Sequence, residues 1–230
     1  MASASPGDGP TQDEITWGVA AQPESHWPMS FAFIGFALLA GFLPEEISLG
    51  PWFLVPVLVA GVVGLFTLVL PRTQLWELRL VHRLAWAIIA LVFVTDVGAL
   101  IALADSLLGG SSLSGQRLLL AALTIWAQTV LVFGVIWWQL DRGGAAARTT
   151  ADHPAPDLLF TQMATPGCGP PSWSPRFFDY LYVSFTASTA FSPTDTMPLT
   201  RRAKLIMLIE SAVSFTIVVL LVAHAIGVLR

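Results

Sequence analysis

Long apolar segments, separated by short polar turns, constrain the fold of this chain more than any other feature. The hydrocarbon core of a bilayer is about 30 Å thick, so a helix needs roughly 20 mostly apolar residues to cross it. Segments near this length recur along the 230 residues, of which 55% are hydrophobic and only 11% charged. Backbone groups find no water inside a bilayer, which favours helices. The sequence therefore predicts an all-α, polytopic membrane protein.

The apolar pattern predicts five transmembrane helices and one shorter helix that enters the membrane without crossing it. The predicted spans cover residues 29–43, 52–70, 84–104, 117–141 and 203–229. The shorter helix covers residues 176–190, which are apolar enough to enter the membrane but too few to cross it comfortably. A re-entrant helix of this kind must be shielded by neighbouring protein.

One membrane domain, residues 27–230, follows from this pattern. Its first part, 27–116, holds three spans, and its second part, 117–230, holds a span, a long loop, the re-entrant helix and the last span. Residues 1–26 are predicted to be a flexible, uncleaved tail. They contain neither Lys nor Arg, so the positive region of a signal peptide is missing, and they have too few apolar residues for a core.

Composition and motifs exclude several classes of function. The net charge of −4, with scattered arginines, offers no basic patch for nucleic acid. Cys168 is the only cysteine, which excludes an internal disulfide and a CxxC site. The histidines, at 26, 82, 153 and 224, have no metal-ligand spacing, and no catalytic triad or phosphate loop is present. We expect no enzymatic activity, no metal and no cofactor, and the lipid bilayer as the main partner.

The stretch 180–210 places a short amphipathic helix, a polar turn and an apolar helix in direct succession, as in YLYVSFTASTAFSPTDTMPLTRRAKLIMLIE. This order resembles the pore loop of potassium channels. The matching positions are Tyr182, Ser184, Thr189, Asp195 and Pro198. The two filter glycines are absent, because Ser192 and Thr194 occupy their positions, and Pro193 replaces the filter tyrosine and removes an N–H. The resemblance implies the pore architecture without potassium selectivity.

The resemblance covers roughly half of the chain, from about Arg117 to Leu229, as an outer helix, pore loop and inner helix. It implies a homotetramer with one pore loop per chain, entering from outside, and monovalent cations as the permeating ions. The chain is also similar to a family of uncharacterised bacterial multi-span membrane proteins that share three sequence patterns. These are LDRGG, PDLLFTQM and AFSPTDTMPLTRRAK, at 140–144, 156–163 and 190–204. That similarity implies a bacterial inner or plasma membrane and no particular activity.

Candidate ion contacts concentrate after the re-entrant helix. Thr189, Ser192, Thr194 and Asp195 supply hydroxyl groups and a carboxylate that can replace water around an ion. The alternative is a polar turn through which nothing passes. Glu210 lies about 10 Å along the last span from its predicted start at residue 203, near the mouth of the loop. It could attract cations, or it could pair with the arginines at 201 and 202.

Other polar residues are predicted inside the membrane. Asp96 is near the middle of the third span, where a carboxylate is costly, so it is an ion or proton site or a hydrogen-bond partner of a neighbouring helix. Gln128 lies on a polar stripe of the fourth span, and Ser214 and His224 continue the stripe of Glu210. The stripes could line a pore. Alternatively, they join helices by hydrogen bonds, with His224 near the headgroups.

The leading hypothesis is a weakly selective cation pore with a degenerate filter. The alternatives are a non-conducting membrane interaction or assembly protein and a proton-coupled carrier that uses Asp96 and Glu210. Basic residues on the side of the pore loop outnumber those on the other side, where only Arg117 and Arg230 lie. They are Arg72, Arg79, Arg83, Arg142, Arg148, Arg176, Arg201, Arg202 and Lys204. This excess predicts that the loop's side is cytoplasmic, which conflicts with the orientation implied by the channel resemblance.

Overall fold

The computed structural model describes residues 27–48, 79–110, 113–145, 147–149, 154–165, 167–170, 173–192 and 195–228. The main helices are α1 (Trp27–Ala40), α2 (Arg79–Gly109), α3 (Gly115–Leu140), α5 (Phe177–Ala190) and α6 (Arg201–Val228). The smaller elements are α4 (Thr161–Ala164), two 3-10 turns (Asp141–Gly143 and Ala147–Thr149) and the strands β1 (Leu158–Leu159) and β2 (Met197–Pro198). The predicted tail 1–26 and second span 52–70 lie outside the described residues.

Three of these helices are long and apolar enough to cross a membrane, with spans at Arg83–Gly109, Gly115–Gly143 and Arg201–Ile226. They indicate membrane association and correspond to the predicted third, fourth and last spans. The first predicted span, 29–43, is a helix of only 14 residues, Trp27–Ala40, followed by turns. The predicted short helix is also 14 residues long, Phe177–Ala190.

Helix α3 is the centre of the bundle. In the 18-residue apolar stretch of each membrane-length helix, 67% of the α3 residues are buried, against 33% for α2 and 22% for α6. It packs against α1, α2, α5 and α6. Glycine at position 134 permits the close approach of α5, because a Cβ there would lie 3.2 Å from the Cα of Leu181. The outer faces of α2 and α6 carry exposed leucine, valine, isoleucine and phenylalanine side chains.

Local signals set the ends of these helices. The Ser114 hydroxyl accepts a hydrogen bond from the N–H of Arg117 and caps the start of α3. Asp179, in the first turn of α5, accepts from the N–H of Arg176 at 2.7 Å. Phe191, in the left-handed region with φ 55°, ends α5. Thr200 caps α6, because its hydroxyl accepts from the N–H of Ala203 at 3.2 Å.

A two-stranded antiparallel ribbon joins the loop before α5 to the segment before α6. Leu158 pairs with Pro198, and Leu159 pairs with Met197. The N–H of Leu199 also donates to the carbonyl of Asp157 at 2.8 Å. The predicted loop 142–175 is therefore partly ordered, and it holds the start of α6 near the C-terminal end of α3.

Candidate functional site

Asp141 is the centre of a buried polar cluster at the C-terminal end of α3. Its carboxylate accepts hydrogen bonds from the N–H of Asp157 at 2.8 Å and of Leu158 at 3.3 Å, and from the hydroxyl of Tyr180 at 2.7 Å. Asp141, Asp157 and Tyr180 are all fully buried. Burial, together with the Asp141 carboxylate, raises the pKa of Tyr180 well above its usual range, so its hydroxyl stays a donor.

The backbone after α3 turns sharply to form this cluster. Arg142 has φ 51°, and the following Gly143 and Gly144 have φ 79° and 99°. A side chain at Gly144 would also place its Cβ 3.1 Å from the carbonyl oxygen of Gln139. The two glycines of the LDRGG pattern are therefore required by backbone conformation and by space.

Arg148 supplies buried positive charge to the same cluster. Its guanidinium donates to the carbonyl oxygens of Trp138 at 2.6 Å and Asp141 at 3.1 Å. Its Cζ lies 5.0 Å from the centroid of the Tyr180 ring and 5.7 Å from that of the Trp138 ring. These are cation–π distances, so Arg148 joins the end of α3 to α5.

Asp157 extends this cluster to α6. It accepts hydrogen bonds from Arg202 Nε at 2.7 Å and Nη2 at 2.6 Å, and from the hydroxyl of Thr200. The Arg202 pair is bidentate, the strongest geometry for an Arg–carboxylate interaction. We name Asp141, Arg148, Asp157, Tyr180 and Arg202 the Asp141 cluster, in which the first four are buried and Arg202 is partly exposed. It fixes the starts of α5 and α6 beside the end of α3.

A second buried cluster surrounds Glu210, deeper between α3, α5 and α6. The fully buried Glu210 carboxylate accepts from the indole N–H of Trp137 at 2.8 Å, from the hydroxyl of Ser184, and from the hydroxyl of Ser188 at 3.5 Å. The Ser184 oxygen is also 2.9 Å from the carbonyl oxygen of Val130. We name Trp137, Ser184, Ser188 and Glu210 the Glu210 cluster. The arginines at 201 and 202 do not pair with Glu210, and Arg202 binds Asp157 instead.

Asp96 and Gln128 form separate buried contacts on the other side of α3. The Asp96 carboxylate accepts from the hydroxyl of Thr129 at 2.7 Å, so it joins α2 to α3. The Gln128 amide donates to the carbonyl oxygen of Phe36 on α1 at 3.2 Å. Within the described part of the chain, Asp96 Oδ1 and Gln128 Oε1 have no hydrogen-bond partner.

The predicted constriction residues do not join the Glu210 cluster. Thr189, on the last turn of α5, is exposed, and its hydroxyl donates to carbonyl oxygens of its own helix. Ser192 and Asp195 are also exposed, and the Asp195 carbonyl accepts from the Thr161 hydroxyl at 3.0 Å. Thr194 lies outside the described residues.

The predicted polar stripe of α6 faces the interior of its own chain. Ser214 is fully buried, one turn beyond Glu210, and its hydroxyl has no hydrogen-bond partner among the residues described. His224 is half-buried beside Gly115, at the start of α3, and its Nε2 likewise has no described partner. The stripe therefore packs against α3 and α5. Its last member, His224, lies at the start of α3, whereas the Asp141 cluster lies at the other end of α3.

The Asp141 cluster was not among the predicted sites. Its members are far apart in sequence and lie in segments interpreted as a loop or as helix ends. The signal available in the sequence was the three patterns LDRGG, PDLLFTQM and AFSPTDTMPLTRRAK, which contain Asp141, Asp157 and Arg202. The structure brings these three patterns together at one end of the bundle.

The Asp141 cluster combines hydrogen bonds, cation–π contacts and the Arg202–Asp157 ion pair, whereas the described contacts of the Glu210 cluster are hydrogen bonds to neutral groups. Across the described ranges, no group of three or more His, Cys, Asp or Glu side chains could hold a metal ion. Comparison with known protein families, with curated proteins and with solved structures gives no match to this chain.

Proposed function

We propose that this chain is one subunit of a membrane pore for small monovalent cations, in which α3, α5 and α6 form the pore module. In this proposal the chain has five spanning helices, and α5 is a re-entrant helix before the last span. The protein resides in a bacterial inner or plasma membrane. The channel resemblance suggests four chains around a central axis.

The observation that carries the proposal is that α5 and α6 begin at the same end of the bundle, beside the C-terminal end of α3. Tyr180, in the first turn of α5, binds Asp141, and Arg202, at the start of α6, binds Asp157 of the same cluster. Helix α5 has 14 residues, about 21 Å at 1.5 Å per residue, which is shorter than a bilayer core of about 30 Å. The chain after α5 is again beside β1 at residues 197–198. This geometry supports a helix that enters and returns on one side.

The predicted ion contacts fit this arrangement as residues of an assembly. Thr189, Ser192 and Asp195 are exposed in the single chain, at or after the end of α5. In a symmetric oligomer such residues can face the same groups of neighbouring chains around an axis. Hydroxyl and carboxylate oxygens can replace water around a cation there.

Ion flux into liposomes tests the proposal. Purified protein would be compared for potassium, sodium and chloride flux, with oligomer mass measured on the same sample. We expect cation flux that falls in Asp195→Asn and is retained in Asp105→Asn, a matched change of an exposed carboxylate on α2. Absence of flux from folded oligomers, across gradients and voltages, would refute the pore.

The second candidate is a non-conducting interaction or assembly protein. It is favoured by the position of Glu210, which was predicted near the mouth of the loop. Glu210 is instead enclosed inside one chain by Trp137, Ser184 and Ser188. In that case α5 is a packing element. A monomeric or dimeric mass together with no flux would support it.

A proton-coupled carrier needs alternating access to Asp96 and Glu210, and labelling of engineered cysteines beside these carboxylates at varied pH would test it.

A further inference from the structure

Glu210 is a buried carboxylate whose described partners are all neutral. Its side chain is fully buried, and its contacts are one indole N–H and two hydroxyl groups. Arg202, at the start of α6, is bound to Asp157 instead. A buried carboxylate is strongly destabilised unless a positive charge compensates it or it is neutralised. The described contacts supply hydrogen bonds but no such charge.

Ser184 has fewer protons than its contacts require. Its hydroxyl oxygen is within hydrogen-bond distance of two acceptors, the carbonyl oxygen of Val130 and the carboxylate of Glu210. A serine hydroxyl carries one proton and two lone pairs. When that proton is donated to Val130, a lone pair of Ser184 faces the carboxylate of Glu210. Two electron-rich oxygens then face each other, and either a proton on Glu210 or a bound cation would satisfy them.

Ser214 is a second buried polar group on the face of α6 that carries Glu210. Its hydroxyl is fully buried and has no hydrogen-bond partner in the described structure. Helices α5 and α6 start at the same end and run in the same direction. Ser184 and Ser188, one turn apart on α5, both bind Glu210, and Ser214 is one turn beyond Glu210 on α6.

We propose that Glu210, Ser184, Ser188 and Ser214 form a binding site for one alkali-metal cation between α5 and α6. Hydroxyl and carboxylate oxygens are suitable ligands for such hard cations. The single carboxylate balances one positive charge, so a monovalent ion fits the site better than a divalent ion. The bound cation compensates the buried charge and holds α5 against α6.

This site is distinct from the predicted constriction and does not depend on ion permeation. Its oxygens lie inside a single chain, whereas Thr189, Ser192 and Asp195 are exposed. A protein that binds the cation without conducting it would retain this inference and lose the proposed pore. A protein that conducts cations but binds none at Glu210 would retain the proposed pore and lose this inference.

Thermal unfolding of the full chain in detergent, with Na⁺ as the probe, tests the site. Choline chloride would be replaced by NaCl at constant ionic strength and pH, and the melting temperature would be recorded. A ligand that binds only the folded state raises the melting temperature with concentration. We expect a saturable rise with Na⁺ in the wild type, its loss in Glu210→Gln, and its shift to higher Na⁺ concentration in Ser214→Ala.

Asp105→Asn is the matched control, because it removes an exposed carboxylate on α2, outside both this site and the predicted constriction, and should leave the Na⁺-dependent rise unchanged. Ser214→Ala removes only a hydroxyl group, so it reports on the site even where Glu210→Gln fails to fold. Equal melting temperatures in Na⁺ and choline for the wild type would overturn the proposal. A full Na⁺ response in Ser214→Ala, or in folded Glu210→Gln, would overturn it as well.

Discussion

Replacing Arg202 with alanine should destabilise the protein more than replacing its partner Asp157. The two side chains form a bidentate ion pair, with 2.6 Å between Arg202 Nη2 and Asp157 Oδ2. Their exposure differs, because 53% of the Arg202 side chain is accessible and none of the Asp157 side chain is. Arg202→Ala therefore leaves a buried carboxylate, whereas Asp157→Ala leaves an arginine that solvent can reach.

The expected costs follow from this asymmetry. Breaking a buried pair so that one charge remains uncompensated costs about 3–5 kcal/mol. We expect about 3 kcal/mol for Arg202→Ala, since Thr200 still donates to Asp157. For Asp157→Ala we expect about 2 kcal/mol, the loss of hydrogen bonds to a charged group. The double variant leaves no buried charge, so it should cost about 2 kcal/mol, less than Arg202→Ala alone.

The free energy of unfolding in detergent, measured with denaturant for the four proteins of the cycle, checks these values. Arg201→Ala is the matched control, because Arg201 is exposed on the same turn of α6. It should change the free energy of unfolding by no more than about 0.5 kcal/mol. If Arg202→Ala were no more destabilising than Arg201→Ala, or if the double variant equalled the sum of the two single variants, the asymmetry argument would be refuted.

Two further predictions concern packing and orientation. Gly134→Ala should cost about 1–3 kcal/mol in unfolding free energy, because its Cβ would lie 3.2 Å from Leu181 Cα and α5 would have to move. Gly109→Ala, with open space around the added Cβ, should be nearly neutral, and equal effects of the two changes would contradict this explanation. Cys168 is exposed in the loop before α5. A membrane-impermeant maleimide should label it in inverted vesicles but not in intact cells if that side is cytoplasmic. Labelling in intact cells would show that this side is extracellular, provided that Cys168→Ser is not labelled under the same conditions.

The spans that the sequence predicted most closely are those with strong local signals. The Gly- and Ser-rich turn at 109–115 separates α2 from α3, and the segment before residue 201 starts α6 with a threonine cap. The shortness of α5 was also evident, because a polar stretch begins at Ser192, two positions after Ala190. Apolar length and turn residues are local properties, so they can be found without knowledge of tertiary contacts.

The pairing of charges could not be predicted in the same way. The sequence suggested that Arg202 could pair with Glu210, but the two are eight positions apart on the helix, about 12 Å along the axis. Arg202 instead reaches Asp157, which is 45 positions earlier in the chain. That contact depends on the ribbon between β1 and β2, which no periodic pattern in the loop indicated.

Helix α5 is held at two depths by polar side chains on one face. Tyr180 binds Asp141 near the start of α5, and Ser184, one turn further, binds Glu210 and Val130. The opposite face is exposed, with Phe178 and Phe185 among its side chains. Apolar burial alone therefore constrains the rotation of α5 little, since both faces carry large side chains. Breaking a hydrogen bond between buried groups costs more free energy than breaking one in water, because the protein interior has a low dielectric constant. The two clusters together therefore fix the rotation and depth of α5. This placement determines where the segment after Ala190 lies, which is the segment on which any pore would depend.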